Sequence, residues 1–330
     1  MKKIVLFLLF YICIYIIYEN NLLASIIIVD NNDPSSSKYS SFQEAYNNAS
    51  EGDTIFLSPS PKIYNYGNVY ITKKIIIYGI GFDLSKIPYQ CKFKSSFNGY
   101  LHFKKGSEGS IIDGIDGNQL GVLIATSNIS ILRSECRSIE CKTNEILLNT
   151  AIINNKLNGL YVNNENKYSS KGSVEIIVLN NIIESVNLTI SYGSIIFSNN
   201  IIKGNITNES SLVEVFFSNN IIISSNMQCN NCIYKNNLLN KEHEGIYDET
   251  NIYYNPDDVF IDYGNNNYYL KENSPAIDAG ENGTDLGIYG GFHPFVDTGL
   301  PNLPIIYSLD STIVTSHDLG LKVTIKAKSN

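Results

Sequence analysis

The sequence has no tryptophan, two methionines and only two arginines, Arg133 and Arg137, in 330 residues. Charged residues make up 17% of it and sum to −8. Proteins that grip phosphate backbones do so with clustered Lys and Arg, so this balance argues against a nucleic-acid partner. The four histidines, His102, His243, His293 and His317, are scattered and show no metal-ligand spacing. A leucine-rich repeat is excluded by the lack of its Leu-x-x-Leu-x-Leu frame. What remains is a chain dominated by Ile, Asn, Ser and Tyr, which suits strands and corners rather than helices. Its hydrophobic content of 43% is enough for a large core.

One short pattern recurs between residues 152 and 239. It reads IINNKL at 152–157, VLNNII at 178–183, FSNNII at 197–202 and again at 217–222, and YKNNLL at 234–239. The second asparagines are Asn155, Asn181, Asn200, Asn220 and Asn237, spaced 26, 19, 20 and 17 residues apart (181−155, 200−181, 220−200, 237−220). A period near twenty is the mark of a solenoid in which each repeat is one coil.

Side chains two apart on a strand share a face. Val213, Val215 and Phe217 therefore point inward, with Glu214 and Phe216 outward. Val174, Ile176 and Val178 do the same, with Glu175 outward. The Asn pair then turns the chain, because asparagine tolerates the left-handed conformation that a sharp corner needs. Stacked coils would place Val178, Phe197 and Phe217 above one another inside, with an asparagine ladder at the corner. Further strand-like pieces at 110–113, 121–124, 129–132, 145–148 and 159–162 bring the expected total to about ten coils.

The ends differ from the middle. Residues 1–25 carry Lys2 and Lys3, an apolar run from Ile4 to Tyr18, then Ala24 and Ser25. That layout is a secretory signal peptide, which predicts a secreted or cell-surface location. Losing Lys2, Lys3 and Glu19 with it removes +1 and leaves −9. Ser41 and Glu44 form a capping box ahead of Phe42, Ala45, Tyr46 and Ala49 at helical spacing, predicting a helix that closes one end of the solenoid. The solenoid is expected over 26–291. Residues 292–304, with three prolines, read as a linker, and 305–330 as a small β tail.

The segment SFQEAYNNASEGDTIFLSPS, followed by VYITKKIIIYGIG, resembles the start of secreted right-handed parallel β-helix proteins of the pectin-lyase-like superfamily. NPDDVFID, YYLKENSPAIDAG and DLGIYGG resemble a closing segment of the choice-of-anchor Q type. The resemblance covers residues 42–291 and implies an all-β, right-handed parallel β-helix that is exported. It does not imply one reaction.

Arg133, Glu135 and Arg137 would share a face if their strand continues. They are the weak catalytic candidates, because the pectate-lyase branch abstracts a proton with a basic residue beside calcium-binding carboxylates. Asp113 and Asp116 are weak calcium candidates, and no other cofactor is expected. The paired Asp, Gly-His-Gly and Arg-Ile-Lys segments of the polygalacturonase branch are missing. Asp257 and Asp258 read as turn-forming. Asp278 and Asp285 read as holding turns through side-chain to backbone bonds.

Of the cysteines beyond the leader, Cys136 with Cys141 and Cys229 with Cys232 are the local pairs, which leaves Cys91. Cys232 also occupies an inward repeat position, so a reduced core thiol is open for it. Two functions are compatible with all this. One is a monomeric, non-catalytic surface, adhesion or glycan-binding module. The other is a lyase or hydrolase of acidic polysaccharide. The absence of family catalytic motifs favours the first.

Overall fold

The computed structural model describes residues 24–33, 35, 37–64, 67–86, 93–142, 146–164, 174–209, 213–224, 226–240, 248–311 and 323–328. The leader up to residue 23, Cys91, His243 and His317 lie outside them.

Ten strands, from Ile26–Val29 to Cys232–Lys235, pair in parallel in simple sequence order and form one sheet. The second sheet has 13 strands and bends over two faces. Its strand Lys156–Asn164 pairs with two separate strands of the next coil, Ile182–Ile183 on a short face and Val186–Ile190 on a long one. Each coil thus crosses the first sheet, turns at the asparagines, crosses the short face and then the long face. The described residues form a parallel β-helix of ten coils, in line with the repeat period.

Both asparagines of each pair have a task. The first takes the left-handed conformation, with φ of 63° at Asn154, 52° at Asn180 and 56° at Asn199 and Asn219. The second is fully buried. The Asn155 N–H donates to Asn181 Oδ1 at 2.8 Å, Asn181 to Asn200 at 2.9 Å, Asn200 to Asn220 at 2.8 Å and Asn220 to Asn237 at 2.9 Å. The ladder gains a rung that the pair pattern does not show, because Asn237 N–H donates to Asn251 Oδ1 at 3.0 Å. Each ladder amide also donates to a carbonyl of the preceding coil, as Asn200 Nδ2 does to Val178 O at 2.8 Å. A buried amide left unpaired would cost about 1–3 kcal/mol.

Beside the ladder, Val178, Phe197, Phe217 and Tyr234 stack in register. The Phe197 and Phe217 rings lie 4.7 Å apart, as do those of Phe217 and Tyr234. The predicted cap is present as the helix Phe42–Asn48, with Ser41 accepting from the Glu44 N–H and with Phe42, Ala45 and Tyr46 buried. Gln43 and Glu44 face solvent.

Two expectations are corrected. Cys136 and Cys141 are free and buried rather than bridged. Both face inward on the strand Glu135–Lys142. Residues five apart on a straight strand face opposite ways, so both point inward only because the strand bends from one face to the other between them, and each packs in the core as a free thiol. Burial pushes the Cys141 thiol up to about 12. Cys229 and Cys232 do form a disulfide, so Cys232 is not a reduced core thiol.

The stretch 292–304 is also packed rather than free, in spite of its prolines. Phe295 is buried, and its ring lies 6.2 Å from that of Phe82. The segment before it is pinned to the corner by the first asparagines. Asn219 Oδ1 accepts from Glu281 N–H at 2.9 Å. Asn199 Nδ2 donates to Asp285 O at 3.2 Å, and Asn180 Nδ2 to Ile288 O at 2.9 Å. Asn154 Nδ2 donates to His293 O at 2.9 Å, and its Oδ1 accepts from Val296 N–H at 2.7 Å. Residues 281–301 therefore run back along the corner as a strap. The strap and the segment before it bury Val259, Phe260, Leu286, Ile288 and Phe295 against Ile182, Ile201, Ile221 and Leu238 in a second core. Asp285 acts as expected, accepting from the Asp278 N–H at 3.0 Å. Asp257 and Asp258 lie in the first turn of the short helix Pro256–Val259, capped by Asn255. Beyond the strap, Ile305–Ser311 and Val323–Lys328 form an antiparallel hairpin.

Candidate functional site

The outward column of the short face reads Asp116, Glu135, Lys156, Ile182, Ile201, Ile221, Leu238 and Ile252 on successive coils. Where the column is apolar the strap assembly covers it. Where it is charged the cover stands off, and a cleft of about 550 Å³ opens. Glu135, Lys156 and Glu184 form the sheet side. Asn265 to Tyr269, Tyr289 and Asp297 form the opposite side, and Asp83 and Lys86 one rim.

Lys156 sits in register beside Glu135, with its Nζ 4.5 Å from the centre of the Phe82 ring. Burial pushes its amine below the ordinary lysine value, against the pull of Glu135 and Asp83. Burial and the neighbouring Asp116 push the Glu135 carboxyl up, while Lys156 and Lys94 pull it back. Both shifts bring the charged forms closer to neutral, which is how acid–base groups are tuned.

Across the cleft, the Tyr269 and Tyr289 rings stack 4.7 Å apart at 5°. Their hydroxyls both donate to Asp297, the Tyr289 bond being 2.8 Å. Lys86 Nζ lies 3.4 Å from the same carboxylate. Glu184 pairs with Lys203 at 2.8 Å on the next coil.

Of the residues singled out from sequence, Glu135 lines the cleft. Asp116 stands next to it on the preceding coil, bound to Lys94 at 3.0 Å and to the Ser96 hydroxyl at 2.6 Å. Asp113 and Arg133 lie elsewhere, paired with each other. Arg133 Nε donates to Asp113 Oδ1 at 2.8 Å and Nη2 to Oδ2 at 2.5 Å. Arg133 occupies the corner position that the first asparagine fills in later coils, with φ of 43°. The three candidates therefore do not share a face, because the chain turns at Arg133 before the strand of Glu135 begins. Arg137 is exposed. Asp113 and Asp116 fall on different sheets and each already has a cationic partner, so they do not form one calcium site. Among the described residues, no three metal-ligating side chains cluster.

Sequence reasoning missed Lys156, although a signal was there. In the five repeats the residue after the Asn pair is Lys, Ile, Ile, Ile and Leu. The single charge in an otherwise aliphatic column marks where the cover ends. Tyr269, Tyr289 and Asp297 carried no such signal, since only the strap's path brings them to the sheet.

No family model and no curated protein matches the chain. Among solved structures, the crystal structure of the pectate lyase Pel9A matches at 13% identity and a TM-score of 0.33, covering 80% of this chain and 95% of that one. By its own strand pairing, the chain is a parallel β-helix.

Proposed function

We propose that this protein is an exported, non-catalytic glycan-binding module of the cell surface or extracellular space, and that the cleft is its binding site. The observation that carries this reading is the stacked Tyr269–Tyr289 pair facing a floor of fixed carboxylates and amides. A sugar offers hydroxyls that both donate and accept, and C–H faces that pack on aromatic rings. Asn158, Asn265, Glu184 and Asp83 supply the polar complement, and the tyrosines supply an amphipathic wall. Four lining carboxylates, Asp83, Glu135, Glu184 and Asp297, outnumber the two lysines, Lys86 and Lys156. That balance supports a neutral sugar in the cleft over a uronate.

The test is calorimetric titration of the mature protein with neutral and uronate oligosaccharides. Binding of a neutral oligosaccharide that weakens about tenfold in Tyr269→Ala is the expected result. Absence of binding to every oligosaccharide overturns the reading.

One observation favours a second reading, a lyase of acidic polysaccharide. Lys156, with its lowered amine beside Glu135, has the character of a general base. Release of unsaturated ends from a uronate polymer, abolished in Lys156→Met, would establish it in place of the first.

A further inference from the structure

The charges in and beside the cleft do not balance, and the imbalance falls on one residue. Five carboxylates, Asp83, Asp116, Glu135, Glu184 and Asp297, meet four ammonium groups, Lys86, Lys94, Lys156 and Lys203. Three pairs are made: Lys203 with Glu184 at 2.8 Å, Lys94 with Asp116 at 3.0 Å and Lys86 with Asp297 at 3.4 Å. Lys156 is left to serve both Asp83 and Glu135, and among the described residues it forms an ion pair with neither.

Asp83 has other support, since its Oδ1 accepts from the Ser85 N–H at 3.2 Å and from the Ser85 hydroxyl at 2.5 Å. Glu135 stands in register between Lys156 and a second carboxylate, Asp116, about 4.8 Å away on the preceding coil. Burial, with Asp116 beside it, pushes the Glu135 carboxyl up, the response of an acid that lacks a cation. A metal ion is a poor fit for that place. It needs several anionic ligands, and among the described residues no three His, Cys, Asp or Glu side chains come together. An ammonium group needs only one carboxylate and acceptors for its remaining protons.

The opposite wall supplies acceptors and rings. A tyrosine hydroxyl has one proton to give, and Tyr269 and Tyr289 both give theirs to Asp297, so what they offer the cleft is lone pairs. Ammonium groups already lie over the rings here, Lys156 at 4.5 Å from the centre of Phe82, Lys86 at 5.8 Å from Tyr269 and Lys203 at 5.8 Å from Tyr268. Tyr269 is still 45% exposed. We infer that the cleft takes an amino sugar, a pyranose bearing a free ammonium group, with the ammonium at Glu135 and the sugar's C–H face against Tyr269. This rests on the proposed glycan-binding function and carries its preference one step further, from neutral over anionic to cationic. N-acetylation is the modification that the cleft reads, because it removes the charge and two of the three N–H donors.

The test is calorimetric titration of the mature protein at mildly acidic pH with tetramers of glucosamine, N-acetylglucosamine and glucose, and with a tri-lysine peptide. The glucosamine tetramer should bind about tenfold more tightly than either neutral tetramer, with a preference that shrinks as salt is added. In Glu135→Gln the ratio of the two affinities should fall to about one, because the unmatched charge is gone. The melting temperature of that variant controls for folding. Asp116→Asn, outside the cleft, should lower the ratio by a smaller factor. Three results overturn the inference: equal affinity for the glucosamine and the neutral tetramers, a glucosamine preference that persists in Glu135→Gln, or tri-lysine binding as tight as that of the amino sugar. The first leaves the cleft reading intact. Absence of any glycan binding removes both.

Discussion

One column of the short face behaves in two ways. From Ile182 to Leu238 its side chains are aliphatic, and the strap assembly seals them into a second core. From Asp116 to Lys156 the same geometric position is charged, and the cover lifts into a cleft. The backbone is alike in both stretches, with the same parallel pairing and the same corner. The identity of one residue per coil therefore decides whether the face is core or site. Burying apolar area stabilises by about 25 cal/mol per Å², whereas burying an unpaired charge costs far more than that gains.

The contrast is most exposed to a charge placed in the sealed stretch. Ile201→Asp should lower stability by about 3 kcal/mol or more, read as a fall in thermal midpoint. A loss below about 1 kcal/mol would show that the strap does not seal the column.

Next in size is the ladder that both stretches share on the inner side of the corner. Asn200→Ala removes the acceptor of the Asn181 N–H and the donor to Val178 O, and should cost about 2–3 kcal/mol in a denaturant melt. A near-neutral outcome would mean that water replaces the rung.

Lys156→Ile extends the aliphatic column by one coil. It should hold or raise the thermal midpoint while abolishing glycan binding, because it fills the cleft's floor. A destabilised variant would refute the view that this position is charged for function rather than for folding.

The smallest effect is electrostatic. Glu135 has its carboxyl raised by burial, so its ionised form opposes folding. Glu135→Gln should stabilise by less than about 1 kcal/mol at neutral pH, since solvent screens a half-buried group. The gain should shrink as pH falls through the raised folded-state value and vanish below the ordinary carboxylate range, where wild-type Glu135 is protonated in both states. A gain that grows on acidification would reverse the assignment.

The coils were legible because their signals are local. Alternation assigned Phe217 inward and Phe216 outward, and the Asn pairs marked the corner. The site was less legible because it is made by chain segments far apart in sequence. Arg133 looked like a catalytic base from its neighbours, yet it occupies the position that a left-handed asparagine takes in the next coil. Nothing near Asp297 announces that Asn154, some 140 residues earlier, will hold the strap that carries it. Cys136 and Cys141 looked like a staple because spacing was counted along the chain. The strand bends from one face to the next between them, and each thiol is buried in the core without a bridge.

The row of first asparagines has a consequence for how this protein can grow or shrink. Residues 182–200 could be excised with the ladder unbroken, since Asn181 would be followed by Ile201 just as it is now by Ile182. Judged by the ladder alone, coils are interchangeable. The strap, however, is fastened at Asn219, Asn199, Asn180 and Asn154 in turn, one fastening per coil. Removing a coil would leave it too long by one strand spacing, about 4.8 Å, and out of step with every later fastening. The strap thus acts as a ruler: between Asn154 and Asn219 the coil number is counted, and the separation of Tyr289 and Asp297 from Lys156 is fixed by that count. The strap runs on past Asn154 to the coil of Phe82, whose N–H donates to Thr298 O at 3.0 Å, so the earlier coils on its path are held to the same count.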